Sequence, residues 1–147
     1  MPDQLTVEST PIPGFLRLTL PVHGDNRGWF KENWQREKMV ALGLPDFGPV
    51  QNNISFNDEV GVTRGIHAEP WDKYVSVATG KVFGAWVDLR EGPSFGQVYT
   101  TIIEPGVAVY VPRGVELIPE PRAQHGLHLP GQRPLVAGRR IHLLEPS

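Results

Sequence analysis

Lys73-Tyr74-Val75-Ser76-Val77-Ala78-Thr79-Gly80-Lys81-Val82-Phe83-Gly84-Ala85-Trp86-Val87-Asp88-Leu89 decides the fold class. Two short runs rich in β-branched and aromatic residues flank Thr79-Gly80, a pair that turns the chain. The stretch reads as two strands and a turn. The same grammar continues in both directions. Upstream lie Phe15–Leu20, Trp29–Trp34, Val50–Phe56 and Val62–Ala68; downstream lie Phe95–Ile103 and Val107–Val111. The 16 glycines and 15 prolines are spread between these runs and mark turns. Arg36–Leu42 alone has fair helix propensity, and Gly43 and Pro45 stop it. Residues 1–14, with prolines at 2, 11 and 13, read as an extended arm. Short strands at regular spacing predict a mostly-β protein, a sandwich or barrel.

Composition narrows the function classes. The 147 residues fit one domain. With no cysteine there is neither a disulfide nor thiolate chemistry, in agreement with a cytoplasmic protein. A net charge of -2 without a basic run argues against nucleic acid as a partner. No apolar run reaches membrane-spanning length, and the first residues lack the basic and apolar regions of a signal peptide.

The chemistry concentrates in Val62-Thr63-Arg64-Gly65-Ile66-His67 and in Lys73. Strand alternation would send positions 64 and 67 to opposite faces. Gly65 between them offers a bulge that brings both to one side. Arg64, His67 and Lys73 around a cavity would suit an anionic or carbonyl substrate, with His67 as base because imidazole titrates near neutrality. The plain alternative is a structural histidine in a strand. Asp25, Arg27 and Glu32 surround Trp29 and Phe30; this is either a phosphate and ring site or a solvated hairpin. Gln51 and Asn53, two apart in a strand, share a face and could read sugar hydroxyls or a base edge, or simply be edge polarity. His67 and Glu69 are too few for a metal site, and His125, His128 and His142 fit no zinc spacing. There is no P-loop, dinucleotide fingerprint or nucleophile elbow.

Six motifs in order carry a family resemblance. They are Gly24-Asp25-x-Arg27-Gly28-x-Phe30-x-Glu32, Pro49-Val50-Gln51-x-Asn53-x-Ser55, Arg64-Gly65-x-His67, Lys73, Val87-Asp88-Leu89-Arg90 and Val111-Pro112-Arg113-Gly114. Over about residues 15–115 the chain resembles the dTDP-4-dehydrorhamnose 3,5-epimerases, cupin-type jelly rolls. The resemblance implies an isomerase acting on a dTDP-4-keto-6-deoxy sugar, with no metal or redox cofactor. It implies His67 as the base beside the 4-keto group, and Lys73 and Arg64 as stabilisers of the enolate oxygen. It implies Arg27 on a dTDP phosphate, and Glu32, Gln51 and Asn53 on nucleotide or sugar. Family members form dimers in which N-terminal strands cross to the partner. A binding-only cupin fragment and a related dTDP-sugar ketoisomerase are the alternatives.

The resemblance divides the chain into an epimerase-like domain, residues 1–115, and an aberrant tail, 116–147. The segment from His67 to Lys73 is shorter than in many members. The family continues after Pro-x-Gly with a strand carrying a tyrosine, the proposed acid, and later an aspartate that partners the histidine. Here the last tyrosine is Tyr110 and the last aspartate is Asp88. Residues 116–147 contain no Phe, Trp or Tyr, and no run alternates until Ile141–Leu144. Codon degeneracy permits a reading one base later that begins Asn-Ser-Tyr-Gln-Asn-Leu-Glu-Pro and continues Ala-Tyr-Thr-Tyr-Leu-Val-Asn-Asp-His-Trp. That reading restores alternation, aromatics and the tyrosine, as a frameshift after Val115 would; a designed or genuinely divergent tail is the alternative. A tail without aromatics is expected to lie as coil on the surface, or to pack loosely, and to leave a sheet edge or a cavity open.

Overall fold

The computed structural model describes residues 3–65, 69–118 and 140–146. In chain order the elements are β1 (Thr6–Ser9), β2 (Leu16–Thr19), β3 (His23–Asp25), β4 (Gly28–Phe30), α1 (Arg36–Ala41), β5 (Pro49–Ser55), β6 (Lys73–Thr79), β7 (Val82–Asp88), β8 (Val98–Ile103), β9 (Val107–Val111), β10 (Val115–Ile118) and β11 (Arg140–Pro146). Six strands form one sheet in the order β1-β2-β9-β6-β11-β5, three form a second in the order β10-β7-β8, and β3 and β4 make a separate hairpin. All adjacent pairs run antiparallel. This is the mostly-β sandwich that the strand spacing predicts, and it agrees with the cupin-type fold that the resemblance implies.

Alternation along the central strands separates two cores. Val109 and Val111 of β9 join Phe15, Val77, Trp86 and Ile103 between the sheets. Ala108 and Tyr110 face the other way and join Leu18, Tyr74, Met39 and Leu44 beneath α1. Both faces of β9 are covered, so all five of its residues are buried. Trp86 folds back across Gly84: a Cβ there would lie 2.1 Å from the indole ring, so only glycine leaves the ring its place in the core.

Two of the family motifs prove to be structural. Asp88 is fully buried and accepts from Arg90 Nε and Nη2, both at 2.9 Å, from the Arg90 backbone N–H at 3.0 Å and from Ser94 Oγ at 2.7 Å. Arg90 also donates to the Pro13 carbonyl. Its stem crosses Gly114, where φ is 81° and a Cβ would lie 2.6 Å from Arg90 Cγ. One ion pair thus ties the N-terminal arm, the end of β7 and the turn before β10. The Arg90 guanidinium holds the Asp88 carboxyl well below the usual range, chiefly through its hydrogen bonds. The stabilisation is complete above the ordinary carboxylate pKa of about 3.9 and is lost as pH falls below it. Asp88→Ala leaves Arg90 without its partner, and we expect it to lose about 3–5 kcal/mol, measured by urea unfolding at pH 7.

Several elements differ from the sequence expectation. Val62–Gly65 is loop, not strand. The extended arm contributes β1, paired with β2, and His23–Asp25 is a strand rather than a turn. Trp29–Trp34 is strand only to Phe30, and 95–97 precede the strand, which begins at Val98. The coil expected after residue 115 is corrected at two places. β10 runs to Ile118 against β7, and β11 inserts between β5 and β6. Main-chain hydrogen bonds are blind to side chains, so a segment without aromatics can still satisfy two open strand edges.

Candidate active site

Strand register decides which of the expected residues can meet. Lys73 opens β6 and pairs with Val111, a residue of the inter-sheet core. It therefore lies at the rim of that core, on the face of Val75 and Val77. Asn53 pairs with Leu143, which pairs with Val75, so Asn53 lies on this same face. Gln51, two residues earlier, shares it, and its Nε2 donates to Asn53 Oδ1 at 3.2 Å. One strand separates β5 from β6, which puts the two amides and Lys73 about 10 Å apart across the sheet. Both amides are exposed, because β5 lies at the edge of the larger sheet.

The Lys73 ammonium is largely shielded and forms an ion pair with Glu69, four residues earlier. Beside it, on the opposite face, Asp72 accepts from Tyr110 Oη at 2.8 Å and from the Arg113 backbone N–H at 2.9 Å. Burial would raise the Asp72 carboxyl, but these donors outweigh it and hold the carboxyl below the usual range. Burial first, and Asp72 second, push the Tyr110 hydroxyl far above its ordinary value. Tyr110 therefore faces the α1 core, on the side of the sheet away from Lys73, as a hydrogen-bond donor to Asp72.

The other expected residues stand elsewhere. His67 lies outside the described residues, with Ile66 and Ala68. The chain does kink at Gly65, where φ is 143°, a conformation suited to glycine. Arg64 Nε donates to the buried Asn57 Oδ1 at 2.7 Å and Nη2 to the Phe56 carbonyl at 3.2 Å, just beyond β5. Lys73 sits at the opposite end of the sheet rows: Ser55 and Val77 both pair with Ile141. Arg27 is on the β3–β4 hairpin, forked onto Asp25. Glu32 pairs with Lys38 at 2.9 Å and lines a cavity of about 480 Å³ with His23 and Phe30. Among the described residues, Lys73, Gln51 and Asn53 share one face, while Arg64, Arg27 and Glu32 stand apart from it in the same chain. The hairpin reaches the sheet at Val77, four residues along β6 from Lys73, or about 13 Å.

Sequence reading gave Glu69 only as a rejected metal ligand and passed over Asp72. The four-residue step from Glu69 to Lys73 was the available signal for the ion pair. Nothing local announces the bond from Tyr110 to Asp72, 38 residues apart in sequence. Among the described residues, no group of three or more His, Cys, Asp or Glu side chains is placed to hold a metal.

Two antiparallel sheets enclosing a core, with a basic residue and paired amides at the rim, define a cupin-type β-sandwich protein. The chain belongs to the dTDP-4-dehydrorhamnose 3,5-epimerase family, whose model matches residues 9–116. A Streptococcus pyogenes protein described as an RmlC homologue is 58% identical over 113 residues, covering 74% of this chain and 57% of that protein. The dTDP-4-dehydrorhamnose 3,5-epimerase of Sinorhizobium fredii is 37% identical over 119 residues, 76% of this chain and 60% of its own length. The structure of RmlC from Streptococcus suis, in complex with dTDP-D-xylose, superimposes with a TM-score of 0.82 at 45% identity, covering 98% of this chain and 70% of that one. The chain thus spans about three fifths of the length of these two curated relatives.

Proposed function

We propose that residues 1–115 form the domain of an epimerase for a dTDP-4-keto-6-deoxy sugar, working by proton removal and return beside the ketone. The observation that carries the reading is the strip of Lys73, Gln51 and Asn53 on one face at the rim of the inter-sheet core. An ammonium there suits a developing enolate oxygen, and two amides suit nucleotide or sugar polar groups. His67 serves as the base. Arg64 would share the enolate oxygen with Lys73 only by leaving Asn57, which holds it at the far end of the sheet rows. Arg27 and Glu32, held away from Lys73 in their own chain, meet the nucleotide of the other subunit in a homodimer. The exposed Trp29 and Phe30 beside them fit such a contact. The protein works in the cytoplasm, and among the described residues no helix is long and apolar enough to cross a membrane.

A second reading, a domain that binds the nucleotide sugar but epimerises slowly or not at all, is favoured by one observation. The family match stops at residue 116, and beyond it there is neither tyrosine nor aspartate. Titration with dTDP and deuterium uptake at C3 and C5 in heavy water test both. We expect saturable dTDP binding in either case, with slow exchange under the second reading. Failure to bind dTDP would remove both; a migrated ketone among the products would favour a ketoisomerase.

A further inference from the structure

Lys31 is a cation to which neither the core nor the candidate site gives a role. Its Nζ donates to the carbonyl of Val77 at 2.8 Å and to that of Pro105 at 2.9 Å, 46 and 74 residues away in sequence. Among the described residues no carboxylate pairs with it, and the nearby Glu104 is held by Lys81 at 3.3 Å. Burial pushes its amine down to about 8. A neutral amine keeps two N–H groups, enough for both carbonyls, so the contact survives either protonation state.

The place it fills is a defect in the larger sheet. The β6–β9 ladder ends at Ser76 and Ala108. The next rung would join Val77 to Val107, but the Val107 N–H closes the turn onto the Glu104 carbonyl at 2.8 Å. Carbonyls of Val77 and Pro105 thus converge where the ladder opens, and the ammonium bridges them. The same turn holds the other foot of the hairpin: the Leu20 N–H donates to the Gly106 carbonyl at 2.9 Å. Between these feet the hairpin has a three-residue ladder, and every residue of β3 and β4 is exposed. A hairpin this short and this exposed does not hold its own direction in water.

We propose that Lys31 is a positioning residue that clamps the foot of the β3–β4 hairpin to the open end of the β6–β9 ladder and so aims Arg27 and Phe30. The consequence for ligand binding rests on the function proposed above; the clamp itself does not. The test is hydrogen exchange on the full chain with Lys31→Met, together with dTDP titration. We expect amides 23–30 to exchange at least tenfold faster while those of β9 stay within twofold, and the Kd for dTDP to rise about tenfold. Lys31→Arg, which restores a cationic donor, should recover part of both. Unchanged hairpin exchange, or equal acceleration in β9, would overturn the proposal. If Lys31→Met does not fold, Lys31→Gln decides by the same comparison, with a threefold faster hairpin expected and an unchanged one overturning the clamp. A parent chain that fails to bind dTDP, with a hairpin that still loosens in the variant, would support the clamp and sink the binding function.

Discussion

If residues 116–147 are a frameshifted reading, restoring the frame after Val115 should raise deuterium exchange at C3 and C5 of a dTDP-4-keto-6-deoxy sugar by about 10²–10⁴-fold, the usual contribution of a general acid or base. The expectation comes from what the chain has and lacks. The family match breaks off at residue 116, although a relative 58% identical aligns over 113 residues. After that point the chain has no tyrosine and no aspartate, the residues that the resemblance implies as acid and as partner of His67. Tyr110 faces the opposite side of the sheet from Lys73 and donates to Asp72. The strand Arg140–Pro146 closes the gap between β5 and β6 through its backbone. It restores hydrogen bonding to the sheet and contains neither tyrosine nor aspartate. Exchange would be followed by NMR in heavy water on the two chains in parallel. Equal rates would show that neither the tyrosine strand nor the later aspartate is needed.

Lys73→Met in the frame-restored chain should lower the same exchange rate by about 10²–10³-fold, the scale on which removal of one oxyanion donor acts. Methionine keeps the length of the side chain and removes the charge, at a position largely shielded from water. The Glu69 carboxylate sharpens the expectation. It neutralises the ammonium while no ligand is bound, so the variant leaves Glu69 without its partner. A control, Glu69→Gln, frees the ammonium instead and should spare most of the rate. Steady-state exchange rates over a range of sugar concentrations would separate the effects: Lys73→Met should act on kcat more than on KM. A loss confined to KM would assign Lys73 to binding alone.

Much of the fold was legible because β-branched runs between glycine and proline turns report on local backbone preference. The hairpin from Lys73 to Leu89 is one such pair, and β6 and β7 formed there within a residue or two. The edges were less legible. His23–Asp25 and Thr6–Ser9 are strands because a neighbouring strand accepts their hydrogen bonds, and composition does not encode that partner. Val62–Gly65 reads as strand by residue type yet is loop, with Arg64 folded onto Asn57.

The same division runs through the candidate site. The sequence by itself determined the residue types and their order: the arginines, His67, Lys73, and the amides of β5. It also determined that Gln51 and Asn53 share a face, since a strand repeats every two residues. Only the tertiary structure decided that this face is the one Lys73 occupies, because the register through β11 sets it. Only the tertiary structure turned Tyr110 away, paired Lys73 with Glu69 and placed Arg27 on a separate hairpin bridged by Lys31. Side-chain chemistry is local and can be read along the chain. Which groups meet depends on register and on long-range hydrogen bonds between residues tens of positions apart, and no window of sequence contains both partners.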